Sequence, residues 1–232
     1  ELRRACNGKG DGMKKADVLA AMREIGLVPV LRAESVEQAM RLAGAIADGG
    51  VTVLEITMTV PGALEVMRRL AAERPDILLG AGTVLDPETA RMCILEGARF
   101  VVSPALNLRT IEMCQRYSIA VLPGALTPTE IVTAWQAGAD VVKVFPCSAM
   151  GGASYLKSVK APLPQLELIP TGGVSLQTAE GFLMAGAFAL GVGADLADPR
   201  AIAHGHAETV TENARKYLAV VKKYRADVKA AD

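Results

Sequence analysis

The sequence predicts a (β/α)8 barrel of the TIM type with an N-terminal capping helix. Three observations lead there. A unit of short aliphatic strand, turn and amphipathic helix recurs eight times along the chain. Hydrophobic residues make up 51% of the 232, with 22 glycines and few aromatics, which suits buried parallel strands joined by tight turns. The competing doubly wound sheet usually has fewer strands, and no GxGxxG follows the first strand here.

Taken in order, residues 1–12 are polar and glycine-rich and precede Met13. They read as a non-native or non-functional extension, which leaves 13–232 as a single barrel domain. From Lys14 to Ile25 the apolar residues Val18, Leu19, Met22 and Ile25 share one helical face, as a helix covering a barrel end requires. Strands are expected to begin near Leu27, Val51, Ile77, Phe100, Ile119, Asp140, Glu167 and Ala187. Helices fill the gaps, over Val36–Ala47, Pro61–Glu73, Pro87–Glu96, Leu108–Tyr117, Pro128–Gln136, Ala153–Val159, Leu176–Met184 and Ala201–Tyr224. Ser35, Asp86, Asn107, Thr127, Ser175 and Asp198 are N-cap types, and proline follows three of them at the first helical position. Gly49-Gly50, Gly97-Ala98, Gly138-Ala139 and Gly186-Ala187 mark helix ends.

Composition narrows the function. Lys plus Arg and Asp plus Glu both number 25, so no nucleic-acid or polyanionic partner is expected and an anionic ligand must be held locally. Four cysteines lie scattered without metal spacing, which favours reduced thiols in a cytoplasmic protein. No apolar run reaches the ~18 residues of a membrane span, so no membrane partner is expected.

In such a barrel the chemistry sits at the carboxyl ends of the strands. Lys143 lies inside the apolar run Val141-Val142-Lys143-Val144-Phe145, and no other lysine occurs between Lys15 and it. A buried ammonium is costly, and a neutral amine is a nucleophile that condenses with ketones. The alternative is a lysine snorkelling from a strand end into water. Glu55 is the second unusual residue, and strand alternation sets Val53, Glu55 and Thr57 on one face with Leu54 and Ile56 on the other. Facing inward it would stand near Lys143 as an acid/base group; otherwise it is a structural ion pair with Arg32 or Lys143. Gly172-Gly173 and Gly191-Val192-Gly193 end the last two strands, the usual phosphate position of the fold, although each pair alone is equally a tight turn. Thr83 and Thr171 end strands and either bind substrate or bond local backbone. Arg32 is an anion-binding candidate. His204 and His206 lie away from this set, and no metal site is expected.

These residues fall within a series of longer motifs: Val-Leu-Arg (30–32), Gly-Gly-Val-x-x-Leu-Glu-Ile-Thr (49–57), Gly-Ala-Gly-Thr-Val (80–84), Val-Ser-Pro (102–104), Pro-Gly-x-x-Thr-Pro-Thr-Glu (123–130), Val-Lys-Val-Phe-Pro (142–146) and Pro-Thr-Gly-Gly-Val (170–174). Together, in this order over residues 14–224, they resemble the 2-keto-3-deoxy-6-phosphogluconate aldolases, including bifunctional 4-hydroxy-2-oxoglutarate aldolases. The resemblance implies a class I aldolase that forms a Schiff base with pyruvate, needs no metal or cofactor beyond that covalent imine, acts on a small 2-keto acid and aldehyde, and assembles as a homotrimer.

Carried over by residue, it makes Lys143 the imine-forming lysine and Glu55 the general acid/base. Thr83 contacts the pyruvate carboxylate, Thr171 orients the aldehyde, and Phe145 and Pro104 line the pocket, with Arg32, Thr57 and Thr59 as further substrate contacts. Gly172, Gly173, Gly193 and Ala194 form the phosphate subsite. Two positions depart from the family pattern. Thr59 stands where many members carry an arginine, and Ala194 where many carry a serine. The first shifts carboxylate binding toward Arg32 and Thr83; the second weakens the phosphate grip and raises the standing of an unphosphorylated substrate. The rival readings are a phosphate-binding barrel isomerase or synthase, a catalytically decayed barrel serving as an assembly or binding module, and a metal-dependent pyruvate aldolase, for which only Glu55 is available as a ligand.

Overall fold

The computed structural model describes residues 13–231. The extension read over residues 1–12 lies outside them. Helix α1 (Lys15–Ile25) leads into β1 (Leu27–Leu31), α2 (Val36–Asp48), β2 (Val53–Thr57), α3 (Ala63–Glu73), β3 (Leu78–Gly82) and α4 (Pro87–Leu95). The chain continues through β4 (Phe100–Val102), α5 (Leu108–Arg116), β5 (Ala120–Leu122), β6 (Gly124–Ala125), α6 (Pro128–Gln136) and β7 (Val142–Val144). After a 3-10 turn at Cys147–Met150 come α7 (Ala153–Lys160), β8 (Leu168–Pro170), α8 (Ala179–Met184), β9 (Leu190–Val192), α9 (Pro199–Ala203) and α10 (Ala207–Ala231).

All strand pairs are parallel, in a six-stranded sheet of order β5-β4-β3-β2-β1-β9 and a three-stranded sheet of order β6-β7-β8. Backbone bonds cross both seams between them. Thr171 bridges Gly191, and the Phe188 N–H donates to Leu168 O at 2.8 Å. On the other side Pro123 joins β5 directly to β6, and the Lys143 N–H donates to Pro123 O at 2.9 Å.

The helices begin where their first residues supply an acceptor for an orphan N–H. Ser35, Asp86, Asn107 and Asp198 each accept from a first-turn amide, and Thr127 forms a reciprocal capping box with Glu130. Ser175 is the exception. Its amide donates to Thr178 Oγ1, which donates in turn to Gly173 O at 2.8 Å, so residues 175–178 form a turn and α8 starts at Ala179. The single helix expected over Ala201–Tyr224 is two, because the Asp198-capped α9 ends at Ala203 and Gly205, with φ +78°, interrupts the run before α10.

Strand alternation divides the core into two layers. Leu54 and Ile56 of β2, with Leu31, Val101, Val121, Val144 and Leu190, face outward against helical residues such as Leu42, Met67, Ile111 and Tyr217. Val28, Val53, Leu78, Phe100, Val102, Leu122, Val141 and Ile169 face inward and form a separate cluster, into which α1 inserts Val18 and Met22. α1 is tied to this end by Lys15, which pairs with Asp140 at 2.9 Å.

Candidate active site

One pleat beyond the inner apolar cluster, the same strand faces turn polar. Val53 of β2 is followed two residues later by Glu55, and Val141 before β7 by Lys143. Register sets Glu55 opposite Gly80 of β3 and Lys143 opposite Gly124 of β6. Both charged residues are buried, at 2% and 5% exposure, so Lys143 does not snorkel into water. Lys143 Nζ lies 4.0 Å from Glu55 Oε1, which has no hydrogen-bond partner among the described residues. Burial raises the Glu55 pKa above its ordinary 4.5, and the charges of Lys143 and Arg32 only partly oppose this. A carboxyl held this way exchanges a proton nearer neutrality, and its free oxygen is available to a substrate atom.

Room for Glu55 comes from the neighbouring strand. A Cβ on Gly82 would stand 1.9 Å from Glu55 Oε1, and one on Gly80 would stand 2.1 Å from the Phe100 ring. β3 thus contributes no side chain at these two inward positions, and its neighbours occupy the space. Gly191 serves Thr171 in the same way, since its Cβ would meet Thr171 Oγ1 at 2.1 Å.

The sequence-derived candidates separate into groups. Lys143, Glu55 and Thr57 are buried on the inner face. The Thr57 hydroxyl donates to Leu31 O at 3.0 Å, so in its 2.7 Å contact with Thr59 it accepts, and exposed Thr59 spends its proton there. Thr83 follows β3 with φ +58°, a left-handed conformation uncommon for a β-branched residue and concentrated at functional sites. Pro104 lies against β6, where a Cβ on Gly124 would stand 2.3 Å from its carbonyl.

Arg32, Phe145, Thr171, Gly172, Gly173, Gly193 and Ala194 come together around a cavity of about 230 Å3 at the ends of β1, β8 and β9. Thr57, Thr59, Thr83 and Pro104 are outside its lining. Phe145 connects the two groups: it lines the cavity, and its ring centroid is 5.2 Å from Lys143 Nζ. Sequence reasoning missed Gly82, legible only as an inward glycine beside a strand carboxylate, and Asp195, the residue after Ala194, which also lines the cavity. Among the described residues no group of three His, Cys, Asp or Glu gathers as a metal-ligand set.

The chain as a whole, and not only this site, has similar counterparts among known proteins. The family model for KDPG and KHG aldolase matches residues 18–213. The 2-dehydro-3-deoxy-phosphogluconate aldolase of Treponema pallidum is 32% identical over 88% of this chain and 97% of its own length. That of Haemophilus influenzae is 36% identical over 72% of this chain and 78% of its own. A KDPG aldolase from Legionella pneumophila, captured with pyruvate as a covalent carbinolamine intermediate, superposes with a TM-score of 0.80 at 30% identity, covering 88% of this chain and 97% of that one. A match across most of the chain, a fold shared with such enzymes and a strand lysine beside a partnerless carboxyl lead to one conclusion: the chain belongs to the KDPG and KHG aldolase family.

Proposed function

We propose that the chain is a class I aldolase that reversibly cleaves 2-keto-3-deoxy-6-phosphogluconate, 4-hydroxy-2-oxoglutarate or both, to pyruvate and glyceraldehyde 3-phosphate or glyoxylate. The observation that carries this is the Lys143–Glu55 pair, buried and 4.0 Å apart on one inner face. Lys143 attacks the C2 carbonyl to give a carbinolamine. Glu55 gives its proton to the departing hydroxyl, water leaves, and an iminium forms. Glu55, now a carboxylate, takes the C4 hydroxyl proton as the C3–C4 bond breaks. The bonding electrons enter the iminium, and the aldehyde departs. Protonation of the resulting enamine at C3 and hydrolysis of the imine release pyruvate and restore the amine. The iminium is the electron sink, so the reaction as written calls on no metal or cofactor.

In this reading Arg32, Thr83, Thr57 and Thr59 border the keto-acid end, with Arg32 as its cation. Phe145 and Pro104 wall the reacting carbons, Thr171 orients the aldehyde, and Gly172, Gly173, Gly193 and Ala194 frame the distal end. The two sheets form one closed (β/α)8 barrel with α1 as its cap, spanning 13–232 as a single domain. The seam bonds at Thr171–Gly191 and Lys143–Pro123 and the inward Val18 and Met22 support this. A cytoplasmic homotrimer accords with exposed Leu85, Met92, Leu95 and Leu108, which offer apolar surface for self-association, and sedimentation reads that state directly.

Incubation with pyruvate and sodium borohydride, followed by intact mass and peptide mapping, tests the proposal. One reduced pyruvate adduct on Lys143 is expected. A folded protein without an adduct overturns the Schiff-base reading in favour of a phosphate-binding barrel or a decayed one.

A further inference from the structure

We propose that Tyr217 of α10 is a positioning residue for the distal end of the substrate: its hydroxyl holds Asp195, and through it the β9 turn whose backbone amides grip a phosphate. The inference rests on the aldolase reading and concerns only the end of the substrate remote from Lys143. Residues 193–197 form a tight turn after β9, in which the Leu196 and Ala197 N–H groups both donate to Gly193 O, at 3.1 and 2.9 Å. The Ala194 and Asp195 N–H groups have no acceptor among the described residues, and both residues line the cavity. Successive free amides at the start of such a turn suit an anion. Ala194 adds no hydroxyl, so a phosphate at this loop is held by backbone, and the grip depends on how the turn is oriented.

Leu196 and Ala197 are buried and fix one side of the turn, whereas Ala194 and Asp195 are exposed and depend on a side-chain contact to hold theirs. Tyr217 supplies it. The residue is fully buried, and its hydroxyl, shut away from water, completes no full hydrogen bond among the described residues. Asp195 is the acceptor that acts on it, in a contact short of full hydrogen-bond geometry. After burial, the charge of that carboxylate and its hydrogen bonding raise the Tyr217 pKa, so the hydroxyl keeps a proton to donate. Donation draws the Asp195 carboxylate toward α10 and takes up its charge, which would otherwise oppose a phosphate in the cavity that Arg32 makes positive.

The test is Tyr217→Phe, which removes the hydroxyl and keeps the ring in its packing. KM and kcat are measured for 2-keto-3-deoxy-6-phosphogluconate, beside the pyruvate concentration that half-saturates borohydride trapping, since pyruvate has no distal end. The KM for the phosphorylated acid is expected to rise about tenfold, with kcat and the pyruvate value held. On an Asp195→Ala background the same substitution should change nothing further, because the partner is already gone. A hydroxyl that serves structure alone would lower the melting temperature and leave KM unmoved, which overturns the proposal. So does an equal loss on pyruvate, a full tenfold loss on the Asp195→Ala background, or a wild-type chain that does not turn over the phosphorylated acid. Trapping on the wild-type chain separates the failures: no adduct removes the aldolase reading, while an adduct with an unmoved KM removes only the role of Tyr217.

Discussion

The two halves of the inner face differ more than their separation implies. Around Val53, Phe100 and Val141 the inward side chains pack into one apolar cluster, with Val18 and Met22 filling the end. About 7 Å further along the same strands, two pleated residues on, stand an amine and a carboxyl whose Oε1 has no partner. The first half supplies cohesion, and by excluding water it also gives the second its chemistry. Burial is the largest influence on Glu55, and its neighbours' positive charges do not cancel it. A stability layer and a reactive layer thus share strands and differ by one step of the pleat.

Substitutions on the two sides should separate cleanly. Lys143→Ala is expected to lower turnover by about 10^4-fold or more while the protein stays folded, read by pyruvate release and by loss of the borohydride adduct. Glu55→Gln should slow turnover by about 10^2- to 10^4-fold yet still accept some pyruvate adduct, and equal turnover rules out its proton-carrying role. Gly82→Ala, which sets a methyl within 1.9 Å of Glu55 Oε1, should cost about 10^2-fold in kcat through misplacement of the carboxyl. Across the boundary the signature reverses. Met22→Ala should lower unfolding free energy by about 2–5 kcal/mol in urea titrations and leave kcat/KM unchanged wherever the protein is folded.

The smallest effect is a pH dependence that links the halves. The folded chain holds the Glu55 proton more tightly than the unfolded chain. Over the window from 4.5 up to the raised folded value the folded state therefore binds more protons, and stability falls as pH rises. Below that window and above it, this contribution is level. Glu55→Gln removes the decline, so the variant should gain on the wild type as pH climbs through the window. Parallel melting curves at every pH would contradict the assignment.

Much of this division was legible in the chain. Period-two alternation separates Val53, Glu55 and Thr57 from Leu54 and Ile56, and that split became the boundary between inner and outer layers. Caps whose acceptors lie within three residues were also readable, as at Asp86 and Thr127. Features that depend on a partner distant in sequence were not. Pro123 interrupts the fifth strand where Lys143 N–H reaches its carbonyl, 20 residues back along the chain. The role of Gly82 depends on what the adjacent strand points at it.

The empty inward positions of β3 carry an implication for how this site changes over generations. Space for Glu55 is encoded at Gly82, 27 positions away, so the two residues are inherited as a lock and its keyhole. Any larger residue at 82 is tolerated only after the carboxylate has shortened or left. Mutational routes through this pair therefore have an order: position 55 moves first, and position 82 records whether it has.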